Sequence, residues 1–99
     1  SVTEISPYAF YGCTTLKNIV IPDSVKKIGH SAFEDCTALK HLLIPDSVKE
    51  IEFCAFENCT ELESVTIPET VTMIKRKTFK LGTFIISLVN QFRIEIMFF

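Results

Sequence analysis

Four cysteines, two histidines and a recurring carboxylate are the side chains of this 99-residue chain that could do chemistry. Cysteines in a short chain suggest either a disulfide framework or a zinc site. Cys13, Cys36 and Cys59 recur every 23 residues. Side chains at equivalent positions of stacked repeats point the same way, which fits a bridge poorly. They are therefore expected as free thiols filling a core, the usual place of an unpaired cysteine. Cys54 shares its position with Tyr8, Ser31 and Lys77, and reads as a local, half-exposed substitution. A zinc site needs ligands that converge on a point; Cys54, Cys59, His30 and His41 have no such spacing. His30 alternates with Pro7, Phe53 and Arg76, and His41 with Asn18 and Ser64, so both read as surface residues rather than general bases.

The carboxylates Asp23, Asp46 and Glu69 each follow a proline. A row of them could hold calcium, but an acidic residue after proline is also what a turn calls for, and that reading is preferred. Asn58-Cys59-Thr60 matches an N-glycosylation sequon. Its middle residue belongs to the cysteine row, which places Asn58 in a tight turn, and the tripeptide is given little weight. Gly12, Gly29 and Gly82 are too scattered for a phosphate loop. No catalytic residues, metal or cofactor are expected.

The element that must position these side chains is a 23-residue unit. Residues 5–27, 28–50 and 51–73 read ISPYAFYGCTTLKNIVIPDSVKK, IGHSAFEDCTALKHLLIPDSVKE and IEFCAFENCTELESVTIPETVTM. A partial copy, 74–80, follows (IKRKTFK). A fixed period of this size signals stacked repeats rather than one globular core. The apolar columns are Ile5/Ile28/Ile51/Ile74, Phe10/Phe33/Phe56/Phe79, Leu16/Leu39/Leu62, Ile19/Leu42/Val65, Ile21/Ile44/Ile67 and Val2/Val25/Val48/Val71, with Ala9/Ala32/Ala55 as a small column. Stacking turns each column into a ladder of like side chains.

Leu16–Ile21, Leu39–Ile44 and Leu62–Ile67 end in period-2 alternation and predict short strands pairing in parallel. Pro22, Pro45 and Pro68 end them, because proline lacks the ladder N–H. Val25–Ile28 and Val48–Ile51 predict a second, shorter extended piece. Ser31–Cys36 and Cys54–Cys59 predict one helical or 3₁₀ turn each on the outer side.

The string Ile-Pro-Asp-Ser-Val-x-x-Ile-x-x-x-Ala-Phe-x-x-Cys-x-x-Leu, with its Leu-x-x-Leu-x-Leu core, resembles the BspA-type leucine-rich repeats of bacterial and protist surface proteins over residues 1–80. The resemblance implies a curved leucine-rich-repeat solenoid of about 3.5 rungs, with short parallel strands on its concave face and turns outside. It also implies a surface-associated or secreted adhesion module, a surface antigen that binds a protein or glycan ligand. Two alternatives stand beside this: structural spacer rungs or a degraded repeat product, and an intracellular scaffold.

Outward strand positions are the candidate binding residues: Lys17, Asn18 and Val20; Lys40, His41 and Leu43; Glu63, Ser64 and Thr66. Neighbouring rungs present them about 5 Å apart. Three rungs offer a few hundred Å² against the ~800 Å² per partner of a stable interface, so avidity along a longer array is the expected mechanism.

Composition agrees. The chain is 47% hydrophobic and 22% charged with net charge −2, which gives no field for nucleic acid. The one basic run, Lys75, Arg76, Lys77 and Lys80, is too narrow for a nucleic-acid patch. Ser1–Ile5 matches Ser24–Ile28 and is already mid-repeat, so the chain reads as an excerpt of a longer array with no signal peptide in view.

Residues 81–99 are expected as an apolar non-repeat tail or degenerate capping rung. At a strict 23-residue offset Ile85, Leu88, Ile94 and Met97 fit the columns, but Gly82, Asn90 and Gln91 do not. A frame change or truncation would give such a shift. Ile85–Val89 still suits a strand covering the open sheet end. Asn90, Gln91, Arg93 and Glu95 interrupt the apolar run well short of the ~20 residues of a membrane span.

Overall fold

A computed structural model describes residues 2–74 and 85–88. Residues 75–80 of the partial rung, with the basic run, and 81–84 and 89–99 of the tail lie outside the described residues.

Each repeat makes one rung with three sides. A two-residue strand forms the first: β1 (Glu4–Ile5), β2 (Lys27–Ile28), then β4 (Glu50–Ile51) and β6 (Met73–Ile74). These stack as one parallel sheet in the order β1-β2-β4-β6. The Leu-x-x-Leu-x-Leu segment forms a second sheet in the order β3-β5-β7, from β3 (His41–Leu43), β5 (Ser64–Ile67) and β7 (Ile85–Leu88). The first copy joins this sheet through a single bridge, Asn18 to His41. The register sets Glu4 beside Lys27 beside Glu50 beside Met73, and His41 beside Ser64, so equivalent residues stack as the columns predicted.

Proline follows the Leu-x-x-Leu-x-Leu segment in the three full copies. Val25, Val48 and Val71 donate their N–H groups to the carbonyls of Pro22, Pro45 and Pro68 at 3.1–3.2 Å, forming three equivalent turns. Asp23, Asp46 and Glu69 are exposed on these turns. Among the described residues no three His, Cys, Asp or Glu side chains gather as a metal set.

The third side differs from its expectation. It is a wall of turns, and the described residues contain no helix. The hydrogen bonds give the reason. Ala32, Glu34 and Cys36 donate within the rung, to Gly29, Ser31 and Phe33, whereas Ser31, Phe33 and Asp35 donate to Phe53, Ala55 and Glu57 of the next rung. A helix needs successive N–H groups to bond inward; here every second one bonds between rungs. The alternation is set by left-handed backbone at Ser31 and Asp35 (φ 55° and 63°), repeated at Cys54 and Asn58, and at Tyr8 and Gly12. Gly, Asp and Asn, the residues that tolerate this conformation best, hold the second of these positions in all three copies.

The three sides enclose one apolar column. Val25, Ile28, Phe33, Leu39, Val48, Ile51, Phe56, Val65 and Ile67 have no exposed surface. Phe10, Phe33 and Phe56 stack face to face, with centroids 5.1 and 5.2 Å apart and planes within 5°. At the first rung Phe10, Cys13, Leu16 and Ile19 are partly buried and pack against this core.

The fourth strand shifts the ruler. β7 pairs with β5 as Ser64–Ile85, Val65–Ile86, Thr66–Ser87 and Ile67–Leu88, an offset of 21 residues rather than 23. A strict 23-residue offset sets Ile85 against Leu62, whereas the hydrogen-bonded register sets Ile86 against Val65 and Leu88 against Ile67. At this register the residues paired with Val65 and Ile67 are both apolar.

Candidate functional site

The predicted binding residues lie along the longer-stranded sheet. In β3 the pattern is exposed, buried, exposed, with Leu42 in the core and His41 and Leu43 outside it. This follows from the two-residue alternation of a strand. Parallel register then sets Asn18, His41 and Ser64 in one column and Leu43 beside Thr66 in another. Val20 is 90% exposed and Leu43 68% exposed, while Thr66 is half-buried.

Lys17, Lys40 and Glu63 stand alongside, all exposed. Their backbones form a ladder: Lys40 N–H donates to Lys17 at 3.2 Å and Glu63 N–H to Lys40 at 2.7 Å. Glu63 Oε2 lies 3.7 Å from His41 Nε2. The sheet thus carries two exposed aliphatic side chains, Val20 and Leu43, with Asn18 and His41 in the neighbouring column and Lys17, Lys40 and Glu63 exposed at its edge. Such a surface can bury apolar groups and bond polar ones.

The cysteines behave as core. No disulfide links them. Cys36 and Cys59 are buried, and their thiols donate to the carbonyls of Phe10 and Phe33 at 3.2 Å. Burial pushes Cys36 up to about 11 and Cys59 up to about 12, so both stay neutral thiols at physiological pH. A nucleophilic cysteine requires the opposite shift. Cys54 is half-buried on the turn wall.

Sequence reasoning missed a second exposed cluster, on the turn wall. Tyr8 and Tyr11 are 55% and 50% exposed and meet edge to face with centroids 5.7 Å apart. The Tyr8 hydroxyl lies 3.1 Å from His30 Nε2. Asp35 Oδ1 accepts a 2.9 Å hydrogen bond from the Asn58 amide. Asp35, then Glu34, beside the Tyr11 phenol raise its pKa above the usual value. The available signal was charge: residues 6–14, 29–37 and 52–60 contain no lysine or arginine, and the second and third of these segments each contain two carboxylates.

Comparison with known proteins sets this geometry in context. Residues 1–95 match the model of the BspA type leucine rich repeat region (6 copies). Among solved structures, a leucine-rich repeat protein from Bacteroides ovatus superposes with a TM-score of 0.76 at 27% identity, over 89% of this chain and 28% of its own. The Treponema pallidum leucine-rich repeat protein gives 0.66 at 33% identity, over 74% of this chain and 41% of its own. A leucine rich cell surface protein from Faecalibacterium prausnitzii gives 0.70 at 21% identity, over 90% and 26%, a likeness of fold. The chain thus spans less than half the length of each. No curated protein matches it significantly.

Proposed function

We propose that this chain, which belongs to the BspA-type leucine-rich repeat family, is a non-enzymatic interaction module that binds through the open side of its longer-stranded sheet. One observation carries this: Val20 and Leu43 are 90% and 68% exposed, Leu43 on β3 between the buried Leu42 and Ile44 and Val20 at the equivalent position of the first copy. Burying an aliphatic side chain is worth about 1.5–3 kcal/mol. Two of them do not offset the ~4–15 kcal/mol entropic cost of association. Binding by these rungs is weak, and affinity comes from repetition along a longer array whose concave side continues this sheet. The partner is a protein or glycan ligand outside the cell, and the role is adhesion of a surface-associated or secreted protein, as family membership suggests.

The test is the double variant His41→Ala/Leu43→Asp in the parent protein displayed on cells. Adhesion is expected to fall while far-UV circular dichroism is unchanged, because Leu42 and Ile44 keep the strand's core contacts. Adhesion that survives the variant refutes the sheet-face reading. If deleting these rungs at matched surface expression also leaves adhesion unaltered, they are spacers.

A further inference from the structure

The turn wall carries a second surface whose chemistry is unlike that of the sheet. Its described segments hold Glu34, Asp35, Glu52 and Glu57 without a single lysine or arginine. The lysines of the described residues, Lys17, Lys26, Lys27, Lys40 and Lys49, all lie on or beside strands. Carboxylates occur on every side of the rung, but among the described residues this wall alone has them without lysine. Both tyrosines of the protein stand on the acidic wall, at its first rung.

The register brings rings and carboxylates together. Tyr8, Phe10 and Gly12 donate backbone hydrogen bonds to His30, Ala32 and Glu34 at 2.8–3.0 Å, which sets Tyr11 beside Glu34 and Gly12 beside Asp35 on the next rung. Tyr8 is steadied by its 3.1 Å contact with His30 and an edge-to-face packing at 5.2 Å. Asp35 is steadied by the Asn58 amide on Oδ1, and a carboxylate keeps further acceptor sites when one is used. The tyrosine planes meet at 66°, making a corner rather than a flat platform. An aromatic face attracts cations through its quadrupole, and adjacent carboxylates add to that attraction. A corner of two phenols edged by two carboxylates is complementary to a guanidinium or ammonium group.

We propose that Tyr8 and Tyr11, with Glu34 and Asp35 of the neighbouring rung, form a docking site for arginine or lysine side chains of a basic segment of a partner protein. The site lies on a different wall from the sheet face and does not depend on that face binding anything.

The protein supplies its own reporter. It has no tryptophan and only these two tyrosines, so tyrosine emission reads this corner alone. The 99-residue chain is titrated with acetyl-Arg-Gly-Arg-Gly-Arg-amide at low salt. A saturable change in emission is expected, shrinking as salt shortens the Debye length. The variant Glu34→Gln/Asp35→Asn is expected to bind about threefold to tenfold more weakly, the scale of two exposed ion pairs. Tyr8→Leu, which leaves Tyr11 as reporter, is expected to lose about twofold to fivefold, one exposed cation–π contact.

The glutamate counterpart of the peptide, titrated on the unaltered protein, is expected to give no saturable change, a control independent of whether the variants fold. No saturable response to the arginine peptide, or an equal response to the glutamate peptide, overturns the proposal. So does equal affinity in the folded carboxamide variant. A response to an N-acetylglucosamine oligomer in place of the peptide also overturns it, and assigns the corner to glycan.

Discussion

Replacing Phe33 by leucine isolates what the aromatic stack contributes. Phe33 has no exposed surface and lies between Phe10 and Phe56, with centroids at 5.1 and 5.2 Å. Leucine keeps nearly the same hydrophobic transfer energy. The change removes two ring pairs, each worth about 0.5–1.5 kcal/mol beyond area burial. The expected loss is about 1–3 kcal/mol, plus a packing term below ~1.5 kcal/mol for the change of shape. Phe10→Leu is the control: Phe10 is partly buried and stacks on Phe33. Its expected loss is one ring pair, about 0.5–1.5 kcal/mol. In a solenoid, stability is a sum of rung terms and nearest-neighbour interfaces, so an interior change acts on two interfaces. Urea denaturation followed by far-UV circular dichroism measures the difference. With a slope of about 1–3 kcal/mol per molar urea, Phe33→Leu should lower the midpoint by roughly 1 M and Phe10→Leu by about half that. Equal shifts for the two variants refute the stacking argument. So does a Phe33→Leu loss below ~0.5 kcal/mol, which would leave the column held by area burial alone.

Three further outcomes follow from the turn wall and the thiols. At Asn58, φ is 62° and the side chain bonds Asp35, so the order of stability should be Asn, then Gly, then Ala. Glycine loses one hydrogen bond, about 1 kcal/mol, and alanine loses that bond and adds about 1 kcal/mol of left-handed strain; thermal unfolding of the three proteins checks the order. Cys36 and Cys59 have pKa values of about 11 and 12 against 9 for an ordinary thiol, so the unfolded chain ionises first as pH rises. Their contribution is complete below pH 9 and is lost as pH climbs toward the folded values. Melting temperature should therefore fall more steeply from pH 9 to 11 in the native sequence than in Cys36→Ala/Cys59→Ala. Both thiols should resist a disulfide reagent at pH 8 until urea is added.

The core was readable in advance because stacking places residue i over residue i+23 and makes columns into ladders. Phe33 and Phe56, Cys36 and Cys59, and Leu39 and Leu62 are all buried where their columns placed them. The expected helical turn at Ser31–Cys36 went the other way. Its side chains tolerate a helix, but alternate N–H groups found partners on the next rung, a choice made between repeats and invisible within one. The tyrosine corner was hidden for a related reason. A column comparison matches each residue with its equivalents, whereas Tyr8, Tyr11 and Asp35 belong to different columns and meet only across the wall.

The sequence by itself determined the period, the inward columns, the proline-ended strands and the side of the strand that faces solvent, because these are properties of one repeated unit and its alternation. Tertiary structure alone decided the 21-residue register of β7, the turn wall and the meeting of rings with carboxylates. Each of these depends on hydrogen bonds or contacts between rungs, and such partners are fixed only when the rungs stack.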